Sequence, residues 1–157
     1  MQATLDVMEA MHAPSEAVLD NLDATFDPYR TPDDFVAYLA TWVDLEALLD
    51  IPRGATSSAS ASLSTGVARL RELTAAAMTL SQWRGTRKGL QLLLETATGL
   101  TGFEIDEHVI GADGGARPFH IRVTAPGQLV KHRTLVERII ELDKPAYVTY
   151  ELEFKSQ

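Results

Sequence analysis

The chain has no cysteine among its 157 residues, which excludes disulfides, thiolate nucleophiles and cysteine-ligated zinc and suits folding in a reducing cytoplasm. Basic charge is scarce as well: 14 Lys and Arg stand against 22 Asp and Glu, for a formal net charge of -8. Counterion release along a nucleic-acid backbone therefore cannot drive binding globally, and an anionic lipid surface would repel the chain, so neither nucleic acid nor membrane is expected as a partner. No run of about 18 apolar residues is present that could span a bilayer. The first eleven residues carry Asp6 and Glu9 and lack an apolar core flanked by basic residues, which is not the pattern of a signal peptide. Internal repeats and sustained heptads are missing too.

What is there is enough apolar content, 45% of residues, for one sizeable core. Residues 1–26 read as a helical arm whose apolar positions are Leu5, Met8, Met11, Val18, Leu22 and Phe26, with Pro14 starting a second segment after Ala13. The stripe is thin, better suited to packing against something else than to folding alone. Asp27 to Asp34 reads as a turn and a helix start, with Thr31 as N-cap, Pro32 in the first turn and acidic residues facing the positive end of the helix dipole. That helix is expected to reach about Leu49, with Phe35, Leu39, Trp42, Leu45 or Glu46, and Leu49 inward and Val36 and Val43 widening the face. Residues 51–62, rich in Ser and Ala, read as a surface linker.

A helix is predicted from about Leu63 to Gln82, with Val67, Leu70, Leu73, Ala77 and Leu80 inward. The Arg84-Gly85-Thr86 turn follows. Thr86 is placed to cap a helix whose buried face is Leu90, Leu93, Leu94 and Ala97 and which Gly99 ends in the left-handed conformation. After Gly99 the period becomes two. Phe103, Ile105 and Val109, then a Gly111–Gly115 turn, then Phe119, Ile121 and Val123 read as a hairpin with one wet face. Residues 129–142 resume a helix, and Val148, Tyr150, Leu152 and Phe154 form a last strand, facing the core opposite a wetter Thr149, Glu151 and Glu153. The expected fold is α+β, with N-terminal amphipathic helices followed by a small strand-strand-helix-strand module. It divides into an arm at 1–26, a helical region at 27–99 containing the 51–62 linker, and the module at 100–157.

A search for chemistry finds little. Gly85-Thr86-Arg87-Lys88 at a helix N-terminus could cradle an anion, but the phosphate-loop pattern is missing and no strand leads into it, so a capped helix start is preferred. His12, His108, His120 and His132 are scattered. A metal site from His108 and His120 with Asp106 or Glu107 is less favoured than polar residues on an exposed sheet face. Asp106 and Glu107 are adjacent and point to opposite faces of a strand, which argues against a carboxylate pair. Trp42 and Trp83, at helical positions, read as core anchors ahead of exposed hot spots. No catalytic, cofactor-binding or metal-ligating residue is assigned, and no cofactor is expected.

Several pieces in order then resemble a known family: Phe26-Asp27-Pro28, the Thr31 to Trp42 segment with its Leu39-Ala40-Thr41-Trp42, Leu70-Arg71, Arg84-Gly85-Thr86 with Gly89-Leu90, Thr98-Gly99, Phe119 to Val123, and Asp143-Lys144-Pro145-Ala146 leading to Tyr150. This pattern, over about residues 20 to 154, is similar to the phage tail protein I family of contractile phage baseplates and related injection systems. It departs from the family in lacking an upstream Leu-Pro-x-x-Tyr segment and in its Ser/Ala-rich 51–62 loop. The resemblance implies a structural baseplate wedge subunit, not an enzyme, that sits between the hub or spike and the sheath. The implied partners are other wedge subunits, whether homologous copies or a larger wedge protein, together with hub, spike and sheath proteins. The implied location is the cytoplasm during assembly and then the tail or injection particle. Trp42, Trp83, Arg84, Gly85, Thr86, Gly89, Pro145 and Tyr150 become candidates for structural turn and interface roles. Two rivals come from the residues themselves: a small-ligand-binding regulatory α+β domain, since strand-strand-helix-strand is half of a ferredoxin-like sheet, and an anion-binding enzyme around Arg84–Gly89.

Overall fold

The computed structural model describes residues 2–50, 61–111 and 114–156, with side chains in the first helix from Val7 onward. The side chain of Leu5, linker positions 51–60 and turn positions 112–113 lie outside the described residues. The order is α1 (Gln2–Asp20), α2 (Leu22–Phe26), α3 (Asp33–Trp42), a 3-10 turn at Glu46–Leu48, α4 (Val67–Gln82), α5 (Arg87–Thr98), β1 (Glu104–Asp106), β2 (His120–Ala125), a 3-10 stretch at Gly127–His132, α6 (Arg133–Asp143) and β3 (Thr149–Phe154). This is the α+β arrangement expected, with the helices first. Among the described residues no helix is long and apolar enough to cross a membrane.

The core is continuous from α3 to α6. Val36, Ala40, Leu48, Leu70, Leu73, Leu94, Val123, Ala125, Val136, Ile139 and Ile140 are all buried within one apolar cluster. α4 packs between α3 and α5, and α5 packs on α6. The sheet runs β1-β2-β3, antiparallel on one side of β2 and parallel on the other. A parallel neighbour needs a crossover, and α6 supplies it while covering the apolar face. Register pairs Ile105 with Val123, and Val123 with Leu152.

Local signals that need only a few neighbouring residues behave as read. Thr86 Oγ1 accepts the Gly89 N–H at 3.0 Å, Gly99 ends α5 with φ 70°, and Leu90, Leu93, Leu94 and Ala97 are buried. Several expectations are corrected. Pro14 does not start a new helix but lies inside α1, a placement tolerated because the carbonyl left without an N–H partner is on an exposed surface that water can reach. The break comes at Asn21 instead.

Thr31 is not an N-cap. Its Oγ1 is buried without a hydrogen-bond partner among the described residues, and the carbonyl of Pro32 accepts the first helical N–H groups, from Phe35 and Val36. The turn before it is held by Asp27, whose carboxylate accepts the Tyr29 N–H at 2.8 Å, and by Arg71, which donates to the carbonyls of Pro28 and Thr31 and pairs with Asp33. α3 stops at Trp42 rather than Leu49. Asp44 takes the left-handed conformation with φ 62°, and Leu45 N–H returns to the Ala40 carbonyl at 3.0 Å while Asp44 N–H reaches the Thr41 carbonyl. That pair of bonds is the six-to-one and five-to-two closure usually made around a glycine. Leu45, Leu48 and Leu49 are still buried, but from a 3-10 turn and the chain flanking it, so their helical spacing misled.

Val43 and Val67 are exposed rather than inward. α4 begins at Val67, with Leu63 buried in the segment before it. Of the expected linker, Ala61 is buried and Ser62 forms a two-bond bridge with Asp50, so the ends of that stretch are pinned together. The helix expected over 129–142 is a 3-10 stretch followed by α6 from Arg133. The hairpin is shorter than its alternation suggests. Phe119 has φ 57° and is 67% exposed, because the chain turns left-handed there before β2 begins at His120.

Candidate interaction surfaces

The α4–α5 turn is built from backbone outward. Gly85, with φ 73°, reverses the chain. Thr86 then binds back to the Trp83 carbonyl through both its N–H at 3.2 Å and its hydroxyl at 2.7 Å. Gly89 approaches that same carbonyl so closely that a Cβ built on it would lie 1.9 Å from the Trp83 oxygen. Arg84 leaves the turn in two directions, to the Asp44 carboxylate at 2.8 Å and to the Leu142 carbonyl at 3.3 Å. One side chain thus ties the α3 corner, the α4–α5 turn and the end of α6. Lys88 lies over the Trp83 ring at 3.9 Å from its centre, a cation–π contact.

Behind this turn is a cleft of about 270 Å³ whose walls include Gly85, Leu90, Phe119, His120, Asp143 and Pro145. Asp143 is 6% exposed, and one carboxylate oxygen has no hydrogen-bond partner among the described residues. Burial pushes its carboxyl up, opposed by a hydrogen bond from Gly85 N–H and by the charge of Arg84. His120 Nδ1 meets the Thr149 hydroxyl at 2.7 Å, and its Nε2 is buried 3.8 Å from the Glu151 carboxylate. The exposed rings of Phe119 and Tyr147 meet edge to face at 5.3 Å.

A second feature is apolar and outward. Phe26, Phe35, Tyr38 and Trp42 form a run of ring contacts with centroids 5.1 to 6.3 Å apart. Trp42 is 60% exposed, so its reading as a core anchor is corrected, and so is that of the part-exposed Trp83. The reason for Trp42 is geometric: the buried stripe of α3 is Val36, Ala37, Leu39 and Ala40, and Tyr38 and Trp42 fall on the other side, where Phe26 packs against Trp42. The first two helices carry further exposed apolar side chains, Val7, Met8, Met11, Val18, Leu19 and Leu22.

The third is the open side of the sheet. Arg122 on β2 is paired with Glu151 and lies 3.7 Å from Glu153. Those carboxylates and Asp106 hold its guanidinium charge more firmly than usual. Lys155 reaches across to Glu104 at 2.7 Å and to the Gly102 carbonyl. On the other face Tyr150, Leu152 and Phe154 are half-buried against the core. Burial and the nearby Glu141 and Glu137 push the Tyr150 hydroxyl up.

Of the residues singled out by sequence, Trp83, Arg84, Gly85, Thr86 and Gly89 share one turn, and Pro145 stands across the cleft from Gly85. Trp42 and Tyr150 lie apart from it. Arg71, Asp44 and Asp143 were missed as organisers of these surfaces. Their partners lie about 40 or more residues away, and spacing along the chain carries no signal for such contacts.

A protein-family model described as "Phage tail protein (Tail_P2_I)" matches residues 2–146 of the 157. No match was found to an individually curated protein.

Proposed function

The chain belongs to the phage tail protein I family, and from that premise we propose that it is a baseplate wedge subunit of a contractile tail or tail-like injection particle. Its role in this reading is structural rather than catalytic, and its partners are other wedge subunits together with hub, spike and sheath proteins. One observation carries the reading: the described large apolar side chains of the 19-residue helix α1, Val7, Met8, Met11, Val18 and Leu19, are in solvent, as are Phe26, Tyr38 and Trp42. A helix of that length with an interior proline is marginal in water by itself. Exposed apolar side chains in this number, with the Phe26, Tyr38 and Trp42 rings among them, fit a contact that a neighbour completes. The acidic net charge keeps the unassembled chain soluble and favours basic partner surfaces.

The test is co-purification of the tagged full-length chain from its native host, read by mass spectrometry. Sheath, tube and spike proteins in the eluate support the proposal. A clean monomer carrying none of them, with light scattering flat over a wide concentration range, removes it. Deleting residues 1–26 should abolish co-purification while leaving the circular dichroism of the remaining core intact.

A further inference from the structure

We propose that the outer edge of β3 is a docking site for an extended segment of a partner protein that alternates basic and apolar residues, added to the sheet as a fourth strand. The inference rests on the assembly role above only for the source of that segment; the site is argued from the strand itself.

β3 is the edge of its sheet, with only β2 beside it among the described residues. Thr149 N–H bonds to the Phe119 carbonyl and Lys155 N–H to the Ala125 carbonyl, both at 2.9 Å. The two-residue alternation of a ladder therefore turns the backbone groups of Tyr150, Leu152 and Phe154 the other way, off the sheet. Edges of this kind are normally blunted by charged side chains, a proline, a bulge or very short length; the charges on β3 are Glu151 and Glu153, which disfavour an acidic strand and leave a basic one free to pair. β3 pairs six consecutive residues with β2 without a bulge, and none of the six is a proline. The one nearby lysine, Lys155, is folded back over the sheet to Glu104 on the far strand and does not guard the edge.

The two faces of the strand specify the occupant. On the open face, Glu151 and Glu153 stand at the edge, with Glu104 and Asp106 two strands away, and the cations among them are Arg122 and Lys155. Four carboxylates against two permanent cations leave the face acidic, and a strand laid alongside meets Glu151 and Glu153 directly. Cross-strand pairs of opposite charge are favourable and like charges are not, so basic residues belong at those positions. On the core face, burial falls off towards the edge: Val123 and Ala125 of β2 are fully buried, whereas Tyr150, Leu152 and Phe154 remain partly open. A neighbouring strand covers them with apolar side chains at the alternate positions. Main-chain bonds then supply affinity, and the two alternating sets supply specificity.

The experiment uses the full chain and a capped hexapeptide alternating lysine and valine, with hydrogen exchange read residue by residue. The expected result is a slowing of about tenfold or more at the Tyr150, Leu152 and Phe154 amides and little change at Ile121 and Val123, whose amides are already paired. A peptide of the same composition with N-methylated backbone amides should lose the effect. A glutamate–valine peptide should not bind the natural chain, and Glu151→Lys with Glu153→Lys should reverse that preference. Equal binding of the N-methylated peptide overturns the proposal in favour of mere charge attraction. Unchanged exchange at the three amides overturns it outright. Edge amides already protected in the free chain, in a concentration-dependent way, would assign the edge to a second copy and overturn it likewise. None of these outcomes depends on which proteins co-purify from the host, so failure here and failure of the wedge reading are told apart.

Discussion

Arg84 and Asp44, 40 residues apart, meet at 2.8 Å, and the acidic partner occupies a left-handed position, φ 62°, where a helix usually ends in glycine. The arrangement sets a local strain against a long-range pair. Both side chains are at least half exposed, so the pair itself contributes at most about 1 kcal/mol, comparable with the roughly 1 kcal/mol that a Cβ costs in this conformation.

That balance can be measured. Asp44→Gly should leave stability within about 0.5 kcal/mol of the natural chain, because relief of strain offsets the lost pair. Asp44→Ala keeps the strain and loses the pair, so it should be the less stable of the two. Arg84→Ala loses the Asp44 and Leu142 contacts together and should lower stability by about 1–2 kcal/mol. Urea unfolding of the three variants checks the order; an Asp44→Gly as damaging as Arg84→Ala would show that the strain argument is wrong.

The Thr86 cap, the Gly99 stop and the apolar face of α5 each depend on residues within a turn of one another, and all were legible in the sequence. So was the change of period after Gly99 that marks the sheet. The end of α3 was not, because Asp44 stands where a glycine would have signalled a stop and Leu45, Leu48 and Leu49 continue the helical spacing from a different backbone. Trp42 misled for a related reason. A large apolar side chain at helical spacing looks the same in sequence whether this chain or a neighbour covers it.

A second prediction concerns Gly89. In isolation Gly→Ala inside a helix gains about 1 kcal/mol. Here the new Cβ would lie 1.9 Å from the Trp83 oxygen, and that oxygen cannot retreat without loosening both bonds from Thr86. Gly89→Ala should therefore destabilise by about 1–3 kcal/mol, and Thr86→Ala by about 1 kcal/mol through the lost cap. Thermal unfolding of each variant decides it, and a raised midpoint for Gly89→Ala would mean that propensity wins over the close approach.

Asp143 supplies a pH prediction. Its carboxyl is raised by burial from an ordinary value of 3.8, so between that value and the raised one the native chain binds more protons than the unfolded chain. Unfolding free energy from this group therefore falls as pH rises through that window and is level above it. Asp143→Asn keeps an oxygen for the Gly85 N–H while abolishing the titration. The difference in stability between the natural chain and Asp143→Asn should shift in favour of Asn as pH rises from about 4 to neutrality. Parallel slopes in denaturant titrations at a series of pH values would assign the acid response elsewhere.

Trp42 separates folding from assembly. Its ring is largely in solvent and, among the described residues, meets the rings of Phe26 and Tyr38 alone, so Trp42→Ala should change the stability of the isolated chain by no more than about 1 kcal/mol. If a neighbour seals the Phe26, Tyr38 and Trp42 surface, the same truncation removes a buried aromatic anchor from an interface, where losses of about 2 kcal/mol or more are usual. Incorporation into particles should then drop by more than about tenfold while the unfolding midpoint holds. A core tryptophan would give the opposite pattern, with a large fall in midpoint preceding any loss of assembly. Measuring both quantities on one variant, alongside Val36→Ala as a truncation of a fully buried position, tells which surface the tryptophan serves.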